Sequence, residues 1–170
     1  LQKAFDDFIA LADKKKEVSA LDLEAIVSDE LRDRTQSHEL NWFEVEAGSR
    51  RQPLARVNIK LPSGEESVAE ASGDGPVDSI FGAIQKATGN DAELREFRVG
   101  AVTGGDDALG EVTVTLRDEG RNASGQGVST DILEASARAY VRALSNLLDG
   151  MATAEAEAAT ADAASELTGP

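Results

Sequence analysis

Two residue types that often carry chemistry are almost missing from this sequence of 170 residues, which has no cysteine and one histidine, His38. The lack of cysteine excludes disulfides, thiolate metal sites and a cysteine nucleophile. A single histidine in a polar stretch excludes histidine metal clusters and histidine-based catalytic triads. We therefore expect His38 to be an ordinary surface residue.

Long apolar runs and positive charge are also scarce. No run approaches the length of a membrane span, and we find no charged-then-apolar leader. The sequence has 17 basic and 32 acidic residues, which gives a net charge of −15. The negative electrostatic field of such a protein repels nucleic acid and anionic membranes. We expect a soluble, cytoplasmic protein with no nucleic-acid or membrane partner. Because the chain starts at Leu1 without methionine and already in a helical pattern, we also expect a fragment of a longer protein.

One segment of the sequence occurs twice. Residues Ala71–Gly89 return in weaker form at Ala123–Tyr140, which indicates one supersecondary unit used twice. Each copy predicts a strand that ends in Gly-x-Gly and runs directly into a helix, and Pro76 suits the first helical turn of the first copy. We expect two helix starts of one design, with backbone amides that could hold an anion. The pairs that are identical in this single register are Ala71/Ala123, Ser72/Ser124, Gly73/Gly125, Gly75/Gly127, Ile80/Ile132, Ala83/Ala135 and Ala87/Ala139.

Helical spacing of apolar residues precedes this repeat. The segment from Leu1 to Ala12 predicts an amphipathic helix that ends near the lysines at 14–16. Ser19, with Asp22 three residues later, predicts the N-cap of a second helix. Each helix has one apolar face that must be buried against another part of the protein. The two helices either form a hairpin packed on their own domain or dock a missing part of the parent chain.

From residue 42 onward, helical spacing gives way to strict alternation. Three alternating segments precede each helix of the repeat, which is typical of antiparallel sheets covered on one face. The sequence therefore predicts an α+β fold of two βββα units related by a pseudo-twofold axis, preceded by a short helical subdomain. The predicted elements are strands at Trp42–Gly48, Ala55–Leu61 and Glu65–Ala71, a helix at Pro76–Thr88, strands at Leu94–Val102, Val112–Leu116 and up to Gly127, and a helix at Thr130–Leu148.

Most charged residues in these elements have ordinary structural explanations. Glu134, Arg138 and Arg142 follow i, i+4 spacing and predict a solvated helix face. Asp106 and Asp107 belong to a glycine-rich turn. We do not expect catalysis by this chain alone.

The first helix start offers groups that suit an α-amino acid. Backbone amides from Gly73 to Val77 can bind a carboxylate, and Asp74, Asp78 or nearby carbonyl groups can bind an ammonium group. Helix capping is the alternative role of the two aspartates. A phosphate is less suited, because no basic residue stands in the motif. The next strand supplies apolar candidates for a side-chain pocket: Leu94, Phe97 and Ala101.

Three separated stretches resemble the C-terminal part of bacterial 2-isopropylmalate synthases: Phe5–Val27, Gly73–Ile84 and Gly125–Leu144. They occur in the order and at the spacing of that family, and the resemblance extends to about Leu148. It implies a helical linker subdomain at 1–38 and an allosteric regulatory domain, the LeuA dimer domain, at 42–149, with units at 42–89 and 93–149. The Ala/Glu/Thr-rich tail at 150–170 continues the last helix or stays disordered, and we expect little function from it.

The resemblance also implies an activity for the parent protein. These enzymes are acyltransferases that condense acetyl-CoA with 3-methyl-2-oxobutanoate, the first committed step of leucine biosynthesis among the branched-chain amino acids. Their metal-dependent TIM barrel would lie before Leu1. We therefore expect this fragment to be inactive alone and to hold no cofactor, with the divalent metal in the missing catalytic domain. The implied partners are an L-leucine effector, a second copy in a homodimer, and the catalytic barrel of the same chain.

In the family, leucine binds at an interface between two regulatory domains and causes feedback inhibition. The two N-terminal helices are the expected route to the barrel. Some members have tyrosine at the position of Phe97, so a polar contact there is lost while the apolar wall remains. Two alternatives stay open: an isoleucine-sensing domain of (R)-citramalate synthase, whose barrel uses pyruvate, and a purely structural dimerisation module. The implied effector-binding residues are Gly73, Asp74, Gly75, Val77, Asp78, Leu94, Phe97, Ala101, Ala108, Gly110 and Ile132.

Overall fold

The computed structural model describes residues 2–14, 18–33, 36–102, 104 and 108–166. Two helices come first, and two successive units of three strands and one helix follow. This is the predicted α+β fold of two βββα units. The elements are α1 (Gln2–Lys14), α2 (Ala20–Asp33), β1 (Glu39–Gly48), β2 (Arg51–Lys60), β3 (Glu66–Ser72), α3 (Pro76–Thr88), β4 (Glu93–Ala101), β5 (Gly110–Asp118), β6 (Arg121–Ser129) and α4 (Ile132–Glu166).

Each unit contains one antiparallel sheet in chain order, β1-β2-β3 in the first and β4-β5-β6 in the second. The turns have the residues that tight connections need. Gly64 donates its N–H to the carbonyl of Leu61 at 2.8 Å, and it has a φ of 86°. Glu119 and Gly120 both have positive φ, which is the backbone twist of a type I′ hairpin. Short turns of this kind fix the register of the neighbouring strands.

The helices of the two units share one core with both sheets. α3 packs on β2 and β3, whereas α4 packs on β5 and β6 and also touches α3 and β1. From 135 to 145, every side chain of α4 except Arg138 is buried. A helix that is buried all round lies inside the domain rather than on its surface. In α3, the buried side chains are Ser79, Ile80, Phe81, Ala83, Ile84 and Ala87.

The N-terminal helices form a hairpin that packs against this core unit. Ser19 caps α2 as predicted: its Oγ accepts the N–H of Asp22 at 3.2 Å, and Asp22 Oδ2 accepts the N–H of Ser19 at 2.8 Å. Leu11 and Ile26 bury themselves against Leu109 and Val128. The hairpin therefore packs on its own domain, but much of its apolar surface stays open. The exposed large apolar residues are Phe5, Ile9, Leu21, Leu23, Val27 and Leu31.

Some predicted boundaries are wrong. β1 begins at Glu39, before the predicted start of the first strand at Trp42. β6 continues to Ser129 instead of ending at Gly127, and α4 runs through Glu166, so the first part of the tail extends the last helix. The predicted division at 38, 42 and 150 stays a prediction. Most of the lysine run at 14–16 lies outside the described residues.

The register of the internal repeat is also wrong. It pairs Ser72 with Ser124, whereas the third strands of the two units end at Ser72 and Ser129. The helices that follow start at Pro76 and Ile132. The predicted register therefore aligns the loop before α3 with the interior of β6. It is shifted by about four residues, or one helical turn, from the register that aligns the two helix starts. In consequence, the two Gly-x-Gly motifs do not form two helix starts of one design.

Among the described helices, none combines the length and the apolarity needed to cross a bilayer.

Candidate functional site

The loop from Gly73 to Gly75 leads into α3 and leaves the start of the helix open. Gly75 is the N-cap residue, with φ −145° and ψ 171°, and no side chain caps the helix there. A Cβ built on Gly75 would meet no atom within 4 Å. The first amides of a helix point out of its N-terminus and have no partner within the helix, so the amides at the start of α3 are available to a ligand in front of this loop.

Gly73 has a different task in the same loop. A Cβ on Gly73 would lie 2.5 Å from Asp78 Oδ2 and 2.6 Å from the amide nitrogen of Ser79. The same Asp78 oxygen accepts the N–H of Asp74 at 3.0 Å. Asp78 thus ties the loop to the first turn of α3, which favours the structural alternative for this residue. Both aspartate side chains remain exposed.

β4 carries the apolar residues predicted to line a pocket. Phe97 lies opposite Val114 and Val99 opposite Val112, and residues paired in this way point to the same face of a sheet. That face is covered by α4 at β5 and β6, yet Phe97 is 39% and Val99 48% exposed. Leu94 is also exposed. The edge strand of the second sheet therefore presents an apolar surface that this chain leaves uncovered.

Phe97 also joins β4 to the first unit. Its ring meets Phe81 of α3 edge to face, with ring centroids 5.8 Å apart. Phe81 in turn stacks at 4.5 Å on Tyr140 of α4. Burial raises the pKa of Tyr140 to about 12, with a hydrogen bond to Gln85 acting in the opposite direction. Aromatic contacts thus run from β4 through α3 into the core.

A third group of predicted residues meets at the other end of β4. Ala101 pairs with Gly110 across the hairpin. Gly110 lies directly against Ile132, because a Cβ on Gly110 would overlap Ile132 Cδ1. Ala108, just before β5, is half-buried. The turn residues Asp106 and Asp107 lie outside the described residues.

The structure therefore brings the predicted effector residues together in three groups: the entrance to α3, the apolar face of β4, and the contact between Gly110 and Ile132. Phe97 links the second group to α3 through Phe81. Neither of the two cavities described below is lined by a predicted effector residue. The assembly of the three groups into one pocket stays a prediction.

The prediction of a solvated face on α4 is wrong. Arg142 is only 2% exposed and Asp29 of α2 only 5%. Arg142 Nη2 donates to Asp29 Oδ2 at 3.0 Å and to the carbonyl of Asp29 at 3.1 Å, and Nη1 donates to Asp29 Oδ1. Arg138 is partly exposed and contacts both Asp29 and Glu134. The unbroken small and apolar run around Arg142 is the sequence signal of burial on all sides.

His38 is buried rather than on the surface. It is 5% exposed, and its backbone N–H donates to Ser145 Oγ of α4 at 3.1 Å. Burial lowers the pKa of His38, while the charge of Asp149 partly opposes that shift. The contact with a residue more than a hundred positions away could not be read from the polar neighbours of His38.

Two cavities lie near the junction of α2 and α4. The first, of about 140 Å³, lies between the N-terminal hairpin, the end of β6 and the start of α4. The second, of about 260 Å³, lies beside Gln126 and Arg142. No cluster of three or more histidine, aspartate or glutamate side chains suited to a metal ion occurs in the residues that the structure describes. The first cavity is lined by Ala10, Leu11, Ile26, Asp29, Leu109, Val128, Ser129, Thr130, Glu134 and Arg138.

Comparison with known proteins covers most of the chain. Residues 17–148 match the family model described as the LeuA allosteric (dimerisation) domain. The chain is 48% identical over 149 residues to the 2-isopropylmalate synthase of Carboxydothermus hydrogenoformans, which covers 87% of this chain and 29% of that protein. For the enzyme of the same name from a Nostoc species, the identity is 46% over 153 residues, covering 90% and 29%. For that from Heliobacterium modesticaldum, it is 44% over 161 residues, covering 94% and 31%.

These matches confirm the resemblance drawn from the three sequence stretches. They also show that the chain spans about three-tenths of the length of the curated relatives it matches.

Proposed function

Because this chain belongs to the LeuA allosteric (dimerisation) domain family, we propose that it is the regulatory domain of a 2-isopropylmalate synthase and binds L-leucine for feedback inhibition. One observation carries the proposal: the start of α3 has no side-chain cap and opens to space at Gly75. Uncapped amides at a helix start attract a carboxylate.

The charges around this entrance favour a zwitterion over a simple anion. Asp74 and Asp78 are both exposed beside the helix start. Their negative charge disfavours a ligand that is only an anion, whereas an α-amino acid presents an ammonium group to them and a carboxylate to the amides. The aliphatic side chain then needs an apolar surface, for which Leu94 and Phe97 are available.

The second copy of the chain completes the site in this proposal. β4 is exposed along its whole length, while the inward residues of β5 are fully buried. A second domain placed over Leu94, Phe97 and Val99 would remove their apolar surface from water and enclose a ligand held at the start of α3. In this arrangement the second copy forms part of the pocket, so the pocket is not expected to be complete within one chain.

The parent enzyme is part of the same proposal. It would condense acetyl-CoA with 3-methyl-2-oxobutanoate on a metal-dependent barrel, in the cytoplasm, and this chain would be inactive alone. Residues 1–38 would form the linker to that barrel. Leucine inhibits only if it binds the inhibited arrangement more tightly than the active one, typically by about 1 to 3 kcal/mol of coupling free energy.

Two other functions make different predictions about ligands. An isoleucine-sensing domain of (R)-citramalate synthase would use the same zwitterion contacts with a differently shaped side-chain pocket, and branched isomers differ by only a few kcal/mol at most. A purely structural dimerisation module would bind no amino acid. The packing roles of Gly73 and Gly110 are compatible with that module, so ligand binding has to be measured directly.

Titration calorimetry of this chain with L-leucine, L-isoleucine and L-valine separates the three functions. We expect leucine to bind most tightly. Tighter binding of isoleucine would favour the sibling enzyme, and no heat with any of the three would leave only the dimerisation module.

The dimer is tested by sedimentation of charge variants. Val99→Glu places a carboxylate on the apolar face of β4, and we expect it to convert a dimer into a monomer. Val68→Glu is the matched control, because Val68 is 56% exposed on the outer face of the first sheet. If Val99→Glu and Val68→Glu leave the same dimer, β4 is not the interface.

A further inference from the structure

The N-terminal hairpin and the last helix are joined by buried charges. Asp29 near the end of α2 meets Arg142 in the first half of α4, although 113 residues separate them in the chain. Arg138, one turn earlier, adds a contact from its Nη1 to Asp29 Oδ2 at 3.3 Å. Arg142 also donates to the carbonyl of Gln126 in β6. We call Asp29, Arg138 and Arg142 the clasp.

Burial makes the geometry of the clasp specific. Asp29 and Arg142 are almost completely removed from water, and a buried charge is strongly unfavourable without its partner. The two side chains form parallel hydrogen bonds, from Nη1 to Oδ1 and from Nη2 to Oδ2. Such a bidentate pair allows one relative orientation, whereas apolar contacts tolerate sliding. The position of α2 on α4 is therefore set by charge.

The rest of the junction is loosely packed. Within the part of the chain that the structure describes, the apolar contact between hairpin and domain has four buried members, Leu11, Ile26, Leu109 and Val128. A cavity of about 140 Å³ lies directly beside Asp29 and Arg138. A contact with few buried side chains and a void stabilises one arrangement only weakly. The clasp is thus the part of the junction that fixes where α2 lies.

The same helix reaches from the clasp to the predicted effector residues. Ile132, in the first turn of α4, lies against Gly110. Arg142 is ten residues further along a continuous helix, which corresponds to about 15 Å. Since a buried helix moves as a rigid body, a shift at Ile132 is carried to Arg142 and, through the bidentate pair, to Asp29.

We propose that the clasp passes effector binding from the start of α4 to α2, so that Asp29, Arg138 and Arg142 act as positioning residues in the response to leucine. This inference rests on the proposed function, because it needs leucine to bind. It assigns the coupling to a specific two-helix contact rather than to the hairpin as a whole.

Hydrogen–deuterium exchange of this chain, with and without saturating L-leucine, tests the inference. In the unchanged chain we expect leucine to slow exchange at residues 73–80 and also to change exchange in α2. In Asp29→Asn, which keeps the shape and removes the charge, the slowing at 73–80 should remain and the response of α2 should be lost. Glu46→Gln is the matched control, because it removes an acid from the exposed pair with Arg51.

A second variant keeps the inference testable if Asp29→Asn does not fold. The double change Asp29→Leu with Arg142→Met replaces both charges by apolar side chains of similar size, a replacement that buried ion pairs often tolerate. It should also lose the α2 response and keep the slowing at 73–80. A purely structural clasp would instead raise the basal exchange of α2 and leave its response to leucine unchanged.

The outcomes separate the two proposals. If leucine slows exchange at 73–80 but α2 does not respond in the unchanged chain, or still responds in a folded clasp variant, the clasp inference fails and the proposed function stands. If leucine has no effect on 73–80, the proposed function fails, and the clasp inference fails with it.

Discussion

The two Gly-x-Gly motifs have the same spacing of glycines but differ in what surrounds the second glycine, Gly75 or Gly127. Gly73 and Gly75 lie in an open loop before α3, where Gly75 has free space around it. Gly125 and Gly127 lie inside β6, where added Cβ atoms would overlap the backbone of α4. The first motif leaves room for a ligand, whereas in the second the space is taken by a helix.

This difference shows that a glycine can be required for two opposite reasons. In β6 the missing side chains let a buried helix lie directly on the strand backbone, an approach that only glycine permits. At the entrance to α3, Gly75 keeps a helix terminus accessible. Adding one methyl group should therefore lower the stability of the fold at Gly127 and leave it almost unchanged at Gly75.

The largest effect is expected for Gly127→Ala. The new methyl group would overlap the carbonyl oxygen of Ala135, a backbone atom that cannot move without shifting α4. Overpacking of this kind costs about 3 kcal/mol or more of unfolding free energy. Urea denaturation measures the loss.

Gly100→Ala in β4 is the matched control, since a Cβ there meets nothing within 4 Å. We expect its unfolding free energy to change by less than about 0.5 kcal/mol, as for other surface substitutions. Equal stability of Gly127→Ala and Gly100→Ala would show that β6 and α4 are not in this close contact.

An intermediate effect is expected for Gly73→Ala. Its methyl group would meet Asp78 Oδ2 and the amide of Ser79, but the Asp78 side chain can rotate away at the expense of its hydrogen bond to Asp74. We expect a loss of about 1 to 2 kcal/mol in unfolding free energy by the same denaturation assay. Gly75→Ala, two residues later in the same loop, should stay close to the unchanged protein. If both variants lose the same stability, the loop does not have the described shape.

Sequence patterns predict those parts of the fold that local chemistry determines. α3 has its predicted bounds, because Pro76 starts the helix and Gly89, with φ 67°, ends it. Alternation predicts β2 and β5, and the spacing of Ser19 and Asp22 predicts their reciprocal cap. Each of these features depends on neighbours within a few residues.

The predictions that fail depend on distant residues. Recurring small residues align Ser72 with Ser124, whereas the strand that contains Ser124 continues to Ser129. Small residues recur in both places for different reasons, and only the packing of α4 on β6 distinguishes them. The sequence predicts surface positions for Arg142 and His38 because their buried partners on α2 and α4 lie more than a hundred positions away.

A smaller, pH-dependent effect on stability follows from the burial of His38 against α4. Because burial lowers the pKa of His38, the unfolded chain binds a proton more readily than the folded one. This contribution to stability is present above the unfolded pKa of about 6.5 and is lost as the pH falls towards the lower folded value. Between pH 7 and pH 5, we therefore expect the free energy of unfolding to fall more for the unchanged protein than for His38→Gln.

The many carboxylates also titrate in acid, so the difference between the protein and His38→Gln at each pH is the informative quantity. The thermal midpoint of both proteins, recorded in the same buffers, provides it. If the difference in thermal midpoint between the two proteins does not change with pH, the fold does not lower the pKa of His38, and the described burial of this side chain is wrong.

Gly75→Val tests most directly whether the open entrance to α3 is a ligand site. Its φ of −145° is available to any residue and its Cβ meets nothing, so the circular dichroism spectrum should stay native. The added isopropyl group would occupy the space before the α3 amides, and calorimetry should then detect no binding of L-leucine. A folded Gly75→Val protein that binds leucine as tightly as the unchanged chain would contradict this account.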